Sequence, residues 1–195
     1  TIFNGDPMTC NMKKLMLPDF FQASEVPIVH KFYRNYFKDC YVCGDVDYIF
    51  GPNTAFFDHC EIHSIARVSE GKAYITAAST PAGQEFGLVF SHCRITGEEP
   101  DSVYLGRPWR DCAKTAFICC ELGDHICPEG WQNWGKVRAE VLSDYIEYGN
   151  FGPGADCSGR SPLSRCLVNP EVETYFSKEN VLVGEDVIPK HQIGR

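Results

Sequence analysis

The chain has 195 residues, 44% of them hydrophobic, and a formal net charge of -8. That is enough apolar chain for one globular domain with a sizeable core, which excludes a disordered chain. The acidic balance disfavours a nucleic-acid or anionic-membrane binder, which needs a basic face, and no apolar run approaches the roughly eighteen residues that span a bilayer.

Reading along the chain, residues 1–18 carry loop signals and little periodicity. Thr1 is not followed by a basic n-region and an apolar stretch; a removed signal peptide or a fragment would each account for that start. At 37–42 the chain reads FKDCYV, short and rich in aromatic and β-branched residues, which predicts a strand. GDVDYIFG follows at 44–51, with acidic residues alternating with apolar ones. In a regular strand Asp45 and Asp47 would face one side, either as solvated surface groups or as part of a site. FDHCEI at 57–62 repeats the first pattern, ITAA follows at 75–78, and FSHCRI at 90–95 repeats it again. Residues 97–103 form a turn-rich acidic loop.

YLGRPWR at 104–110 is the second stretch with chemistry in it. A residue before proline is biased to an extended backbone, so the Arg107 guanidinium can project from a strand end. Trp109 offers a flat apolar ring suited to the C–H face of a sugar; the alternative is a core tryptophan beside a surface arginine. FICCEL at 117–122 is the fourth copy of the short pattern, and PEGWQNW (128–134) and EYGNFGPGA (147–155) follow it. Residues 149–170 are rich in Gly, Pro and Ser and read as a long excursion. Glu171 to Lys178 can start a short helix. No linker divides the chain, so residues 1–195 read as one domain.

The four copies share Phe-x-x-Cys-x-aliphatic, with Cys40, Cys60, Cys93 and Cys120 spaced by 20, 33 and 27 residues. Repeats in this range point to a solenoid or propeller. No amphipathic helix lies between consecutive copies, which disfavours leucine-rich and βαβ arrangements, and propeller blades would be longer and more regular. A parallel β-helix tolerates unequal loops, because insertions leave one face without disturbing the stack. Strands about 4.8 Å apart would then place Phe37, Phe57, Phe90 and Phe117 above one another, and the four cysteines likewise, buried in neighbouring rungs. Of the eleven cysteines, at least one is unpaired unless it bonds to another chain. Their spacing does not read as a disulfide framework. Cys40 and Cys43 form a CxxC with no second CxxC, which disfavours a zinc reading, and most of the cysteines read as small buried hydrophobes.

GDVDYIFG resembles the Gly-x-Val-Asp-Phe-Ile-Phe-Gly signature of pectin methylesterases, and YLGRPWR resembles their Leu-Gly-Arg-Pro-Trp. ITAA, PEGWQNW and EYGNFGPGA are similar to three further segments of that family, and all five occur in the family's order across residues 44–155. The resemblance implies an all-β, right-handed parallel β-helix, a single-chain solenoid of the pectin-lyase type. It also implies hydrolysis of the methyl esters of polygalacturonate. Asp47 would be the nucleophile attacking the C6 ester carbonyl, with an acyl-enzyme then hydrolysed by water. Arg107 would hydrogen-bond Asp47 and fix its orientation, Trp109 would stack on the sugar ring, and Phe50 would line the same cleft. No metal or cofactor is implied. The partner would be methyl-esterified pectin, not nucleic acid or membrane, and a monomer is expected. The family is usually extracellular; a reducing cytoplasm is the alternative that the cysteines fit.

Three departures stand out. Tyr48 occupies a position where the family usually has Phe. The family's general acid is the Asp of a Gln-Asp-Thr-Leu segment about twenty residues before the nucleophile, and its Gln helps form the oxyanion hole. This chain has no Gln-Asp pair. Counting back without a gap from Arg34, Phe37 and Cys40 places Glu25 at the Gln and Val26 at the Asp. Finally, the family has more chain before its nucleophile, so early rungs are expected to be absent or replaced. The rival readings are a catalytically inactive pectin-binding homologue and an esterase of another ester on the same fold. A lyase would need calcium-binding acids that no cluster clearly supplies.

Overall fold

Every strand pairing among the described residues is parallel, and the central turns of the chain each add one strand to each of three sheets. The structure, a computed structural model, describes residues 2–4, 15–16, 34–67 and 71–183. Strands β1 (Ile2–Asn4) and β2 (Leu15–Met16) lie in the first rung. The next holds β3 (Arg34–Lys38), β4 (Tyr41–Gly44) and β5 (Val46–Gly51). Then come β6 (Thr54–Asp58), β7 (Glu61–Ser64) and β8 (Ala73–Ala78), followed by β9 (Leu88–Ser91), β10 (Arg94–Gly97) and β11 (Val103–Pro108). Strands β12 (Lys114–Ile118), β13 (Glu121–Leu122), β14 (Asp144–Tyr148) and β15 (Ser164–Leu167) complete the stack.

Sheet A runs β1-β3-β6-β9-β12-β14-β15, sheet B β13-β10-β7-β4 and sheet C β11-β8-β5-β2. The chain is a right-handed parallel β-helix.

The repeated hexapeptide is what each rung needs to turn the corner from sheet A to sheet B. Its phenylalanine points inward, and Phe37, Phe57, Phe90 and Phe117 stack with ring centroids 4.6, 4.6 and 4.5 Å apart. The residue before each cysteine takes a positive φ: Asp39 at 51°, His59 at 51°, His92 at 53° and Cys119 at 53°. That left-handed conformation reverses the chain in a single residue, and Asp and His tolerate it better than most. The cysteine then enters the core. Cys60, Cys93 and Cys120 each donate a thiol hydrogen bond to the phenylalanine carbonyl of the preceding rung, at 3.5, 3.4 and 3.5 Å. Val42, Ile62, Ile95 and Leu122 sit in register behind them. Cys40 departs from the expected burial: it ends the ladder, is half-buried, and donates to the Lys38 carbonyl at 3.2 Å.

A second apolar core lies outside sheet A. There α2 (Glu171–Tyr175) and α3 (Lys178–Val183) lay Val172, Tyr175, Phe176 and Val181 over Phe56, Val89, Ala116 and Ile146. A further short helix, α1 (Ala139–Leu142), had no signal in the sequence.

Two readings need correction. Residues 1–18 are not wholly loop, since β1 and β2 pair with β3 and β5; strands this short are defined by the edge they join and leave no periodicity. The excursion after Gly149 contains β15 and a disulfide between Cys157 and Cys166. Eight other cysteines among the described residues are free, and Cys60, Cys93, Cys120 and Cys127 are buried.

Candidate active site

Sheet C positions the site. Its register places Phe50 beside Ala77 and Ala77 beside Arg107, so Arg107 lies one rung beyond β8 from the strand that carries Asp47. The small Ala77 lets the long arginine side chain reach back across. Arg107 Nε donates to Asp47 Oδ1 at 3.0 Å and Nη2 donates to Asp47 Oδ2 at 2.6 Å. Their side chains are 15% and 23% exposed, so the pair is shielded but still reachable from solvent. A two-point charge-assisted contact of this kind is strong and fixes the plane of the carboxylate.

Asp47 also has a special backbone. Val46 pairs with Tyr74 but Ile49 pairs with Thr76, so β5 holds one extra residue opposite β8. Asp47 sits in this bulge with φ of 49°. The expected alternation of Asp45 and Asp47 is therefore replaced. Asp45 lies in the bend before β5, where its Oδ1 accepts the Val46 N–H at 2.8 Å. After the bulge, Tyr48 and Ile49 both enter the core, which a regular strand would forbid. Bulges re-aim side chains next to sites, and a non-glycine residue at positive φ costs of order 1–3 kcal/mol.

Aromatic side chains wall the pair. The Arg107 guanidinium carbon lies 3.9 Å from the Tyr74 ring centroid and 4.4 Å from that of Trp134. Tyr74 donates its hydroxyl to Gln132 Oε1 at 2.6 Å. Burial holds the Tyr74 phenol above its ordinary range despite the opposing pull of Arg107. Phe50 and Trp109 meet edge to face, 5.6 Å apart. Trp134 is 45% exposed, and Lys136 Nζ donates to the Trp109 carbonyl at 2.6 Å. A hollow of about 370 Å³ is lined among others by Thr80, Arg110, Asp111 and Lys136.

Below this surface a buried scaffold holds the site. Gly106 admits no side chain, because a Cβ there would lie 2.1 Å from Thr76 Oγ1. Trp131 Nε1 donates to Glu147 Oε1 at 2.9 Å. Arg160 clasps the same carboxylate, Nε to Oε1 at 2.9 Å and Nη2 to Oε2 at 3.0 Å, with the two side chains 4% and 2% exposed. PEGWQNW and EYGNFGPGA thus meet at one buried ion pair.

The Pectinesterase family profile matches residues 22–185. The chain belongs to the pectinesterase family. It is similar to pectinesterase 31 of Arabidopsis thaliana, 40% identical over 140 residues that cover 71% of this chain and 43% of that protein. Among solved structures, pectin methylesterase from carrot superposes with a TM-score of 0.70 at 30% identity, over 77% of this chain and 50% of that one. The Erwinia chrysanthemi enzyme PemA superposes with a TM-score of 0.63 at 26% identity, over 80% and 52% of the two chains. This chain thus spans about half the length of the pectinesterases it matches.

Of the four residues singled out from the sequence, the structure pairs Asp47 with Arg107 and Phe50 with Trp109, and Trp134 and Lys136 bridge the two pairs. Glu25 and Val26 lie outside the described residues. Tyr74 and Trp134, which cover Arg107, were not singled out. Trp134 lay within a motif, but nothing in its spacing tied it to Arg107. Tyr74 precedes ITAA by one residue and reads as ordinary core.

Proposed function

We propose that this pectinesterase chain acts on the methyl esters of polygalacturonate, with Asp47 as nucleophile and Arg107 as its positioning partner. The observation that carries this reading is the two-point Arg107–Asp47 contact on a strained bulge, in a cleft walled by Phe50, Trp109 and Trp134. An Asp47 oxygen attacks the ester carbonyl carbon and forms a C–O bond. The bond to methoxide then breaks, and methanol leaves once methoxide takes a proton. Water attacks the resulting anhydride, freeing the galacturonate carboxylate and restoring Asp47. Arg107 balances the carboxylate's charge and holds its plane, which limits its motion before attack. Trp109 and Phe50 offer apolar faces to the sugar C–H groups. A pectin methylesterase similar to this chain (TM-score 0.63, 26% identity) was crystallised with a hexasaccharide, which supports an oligosaccharide ligand for this cleft.

Methanol release from highly methyl-esterified pectin, measured beside pectin binding, tests the proposal. Turnover lost in Asp47→Asn with binding retained is the expected result. Methanol release that survives this substitution would overturn the assignment.

A further inference from the structure

Away from the cleft, the corner between sheets A and B carries a second cluster. The positive-φ positions there run Asp39, His59, His92, Cys119 and Gly149 from rung to rung. Asp, His and Gly suit that backbone, but nothing about it favours the cysteine at 119. Helix α2 lays Glu173 against this row. One ligand-type atom from each of His92, Cys119 and Glu173 lies within 4.8 Å of the other two. His92 Nε2 is 3.7 Å from Glu173 Oε1. The other ring nitrogen of His92, Nδ1, is 3.0 Å from Ser91 Oγ. His59 repeats the arrangement one rung away, with Nδ1 2.6 Å from Asp58 Oδ1 and its ring stacked on His92 at 5.2 Å and 7°.

We propose that His92, Cys119 and Glu173 form a zinc site that clamps the C-terminal helices to the β-helix. The donor set decides the metal. Calcium and magnesium take oxygen ligands, whereas imidazole nitrogen, thiolate sulfur and one carboxylate oxygen together suit zinc. Bonds of 2.0–2.3 Å in a tetrahedron put ligand atoms about 3.3–3.7 Å apart. The His92–Glu173 pair, at 3.7 Å, lies within a few tenths of an ångström of the spacing a nitrogen and an oxygen ligand need. The Cys119 sulfur, within 4.8 Å of both partners, closes on them by small side-chain rotations of Cys119 and of the exposed Glu173. Protonation of His92 at Nδ1, toward Ser91, leaves the Nε2 lone pair for the metal, and this outer hydrogen bond is the usual device for orienting a ligating histidine. Water fills the fourth position. On binding, Cys119 gives up its proton to solvent and no electrons are exchanged. The three ligands come from two rungs and from α2, so the metal ties segments far apart in sequence. The site is independent of the chemistry assigned to Asp47.

Cobalt(II) titration of the chelator-treated chain, with its Cys157–Cys166 disulfide intact, tests the proposal. A thiolate-to-cobalt charge-transfer band should saturate at one equivalent and be displaced by zinc. Cys119→Ser should abolish the band. His92→Gln and Glu173→Gln should weaken affinity at least tenfold, and Ser91→Ala about ten- to a hundredfold. Cys43→Ser removes a half-buried thiol elsewhere and should leave the band unchanged. Zinc should raise the melting temperature of the parent chain and not that of Glu173→Gln, whose exposed position makes misfolding a poor explanation. No band at stoichiometric cobalt, a band surviving in Cys119→Ser, or equal loss in Cys43→Ser would overturn the site.

Discussion

A lysine at position 107 would carry the charge of Arg107 but neither its paired N–H groups nor the flat faces against which Tyr74 and Trp134 pack. It would hold Asp47 by one point and let the carboxylate turn. Misplacing a reacting group by about 1 Å costs about a hundredfold in rate, so Arg107→Lys should lower kcat by about that factor while leaving KM within a few fold. Steady-state methanol release reads both, and an unchanged kcat would remove Arg107 from its positioning role. Tyr48, where the family usually has Phe, has a local explanation. Its hydroxyl and that of Ser64 share a hydrogen bond of 3.0 Å inside the core, so the extra oxygen is satisfied. At this scale the sequence showed which carboxylate and which arginine belong together. It did not show the bulge that re-aims Asp47, because an inserted residue in a strand breaks the alternation from which its side-chain directions are read.

Each rung repeats because its neighbour does: the phenylalanine, thiol and aliphatic ladders require equivalent residues at equivalent places. That made the strands of sheet A and their corners legible from four short segments. Strand β15, the disulfide Cys157–Cys166 and the row of ligands at 92, 119 and 173 were not legible, since each depends on contacts between segments with no shared pattern. Phe90 sits between two stacked partners and is fully buried. Truncation to alanine leaves a cavity that neighbouring rungs cannot close, and Phe90→Ala should cost about 3–5 kcal/mol. The 58%-exposed Phe151 serves as control, and Phe151→Ala should stay within about 0.5 kcal/mol. Urea midpoints measure both. The Glu147–Arg160 pair makes a different kind of demand. Glu147→Gln keeps shape and removes charge, leaving the buried guanidinium uncompensated at about 3–5 kcal/mol. In a chain of this size that lowers Tm by about 6–20 °C, and a calorimetric scan showing no change would mean the pair is not the anchor described here.

Across the whole molecule, pH acts through groups that folding buries, and His125 is the plainest of them. It is 1% exposed and neither ring nitrogen has a hydrogen-bond partner among the described residues. Burial pushes its pKa down to about 4, with Asp124 pulling upward and His63 pushing further down. Above pH 6.5 the ring is neutral whether the chain is folded or not, and His125 contributes no pH dependence. As pH falls from about 6.5 toward 4, the unfolded chain takes up the proton and the folded chain does not, so stability falls through that window, by about 3 kcal/mol at most. Unfolding measured at pH 7 and pH 4.5 should show this loss, and His125→Gln should flatten it; an equal loss in the variant would assign the effect to other groups.

Whether the 195-residue chain turns over efficiently depends on residues the cleft's own geometry does not supply. Asp47 and Arg107 meet as the proposed mechanism requires, yet the gapless count puts Val26 at the family's general acid and Glu25 at the glutamine of its oxyanion hole. Valine cannot protonate departing methoxide, and general acid assistance is typically worth about a hundred- to ten-thousandfold. A missing oxyanion donor costs about a hundred- to a thousandfold, and a carboxylate in its place adds repulsion against the developing charge. The two losses need not multiply, since both act on one transition state, but either alone slows turnover well below that of an enzyme with both groups in place. The parent chain should therefore bind methyl-esterified pectin and release methanol slowly. Substituting Glu25→Gln and Val26→Asp together should raise the rate by about a hundredfold or more. The same pair placed in an Asp47→Asn background should gain nothing, which separates repair of the acid from a new, unrelated hydrolysis. Fast methanol release by the unaltered chain would defeat the prediction and would mean that another acid, Asp45 among the nearest in sequence, protonates the leaving group.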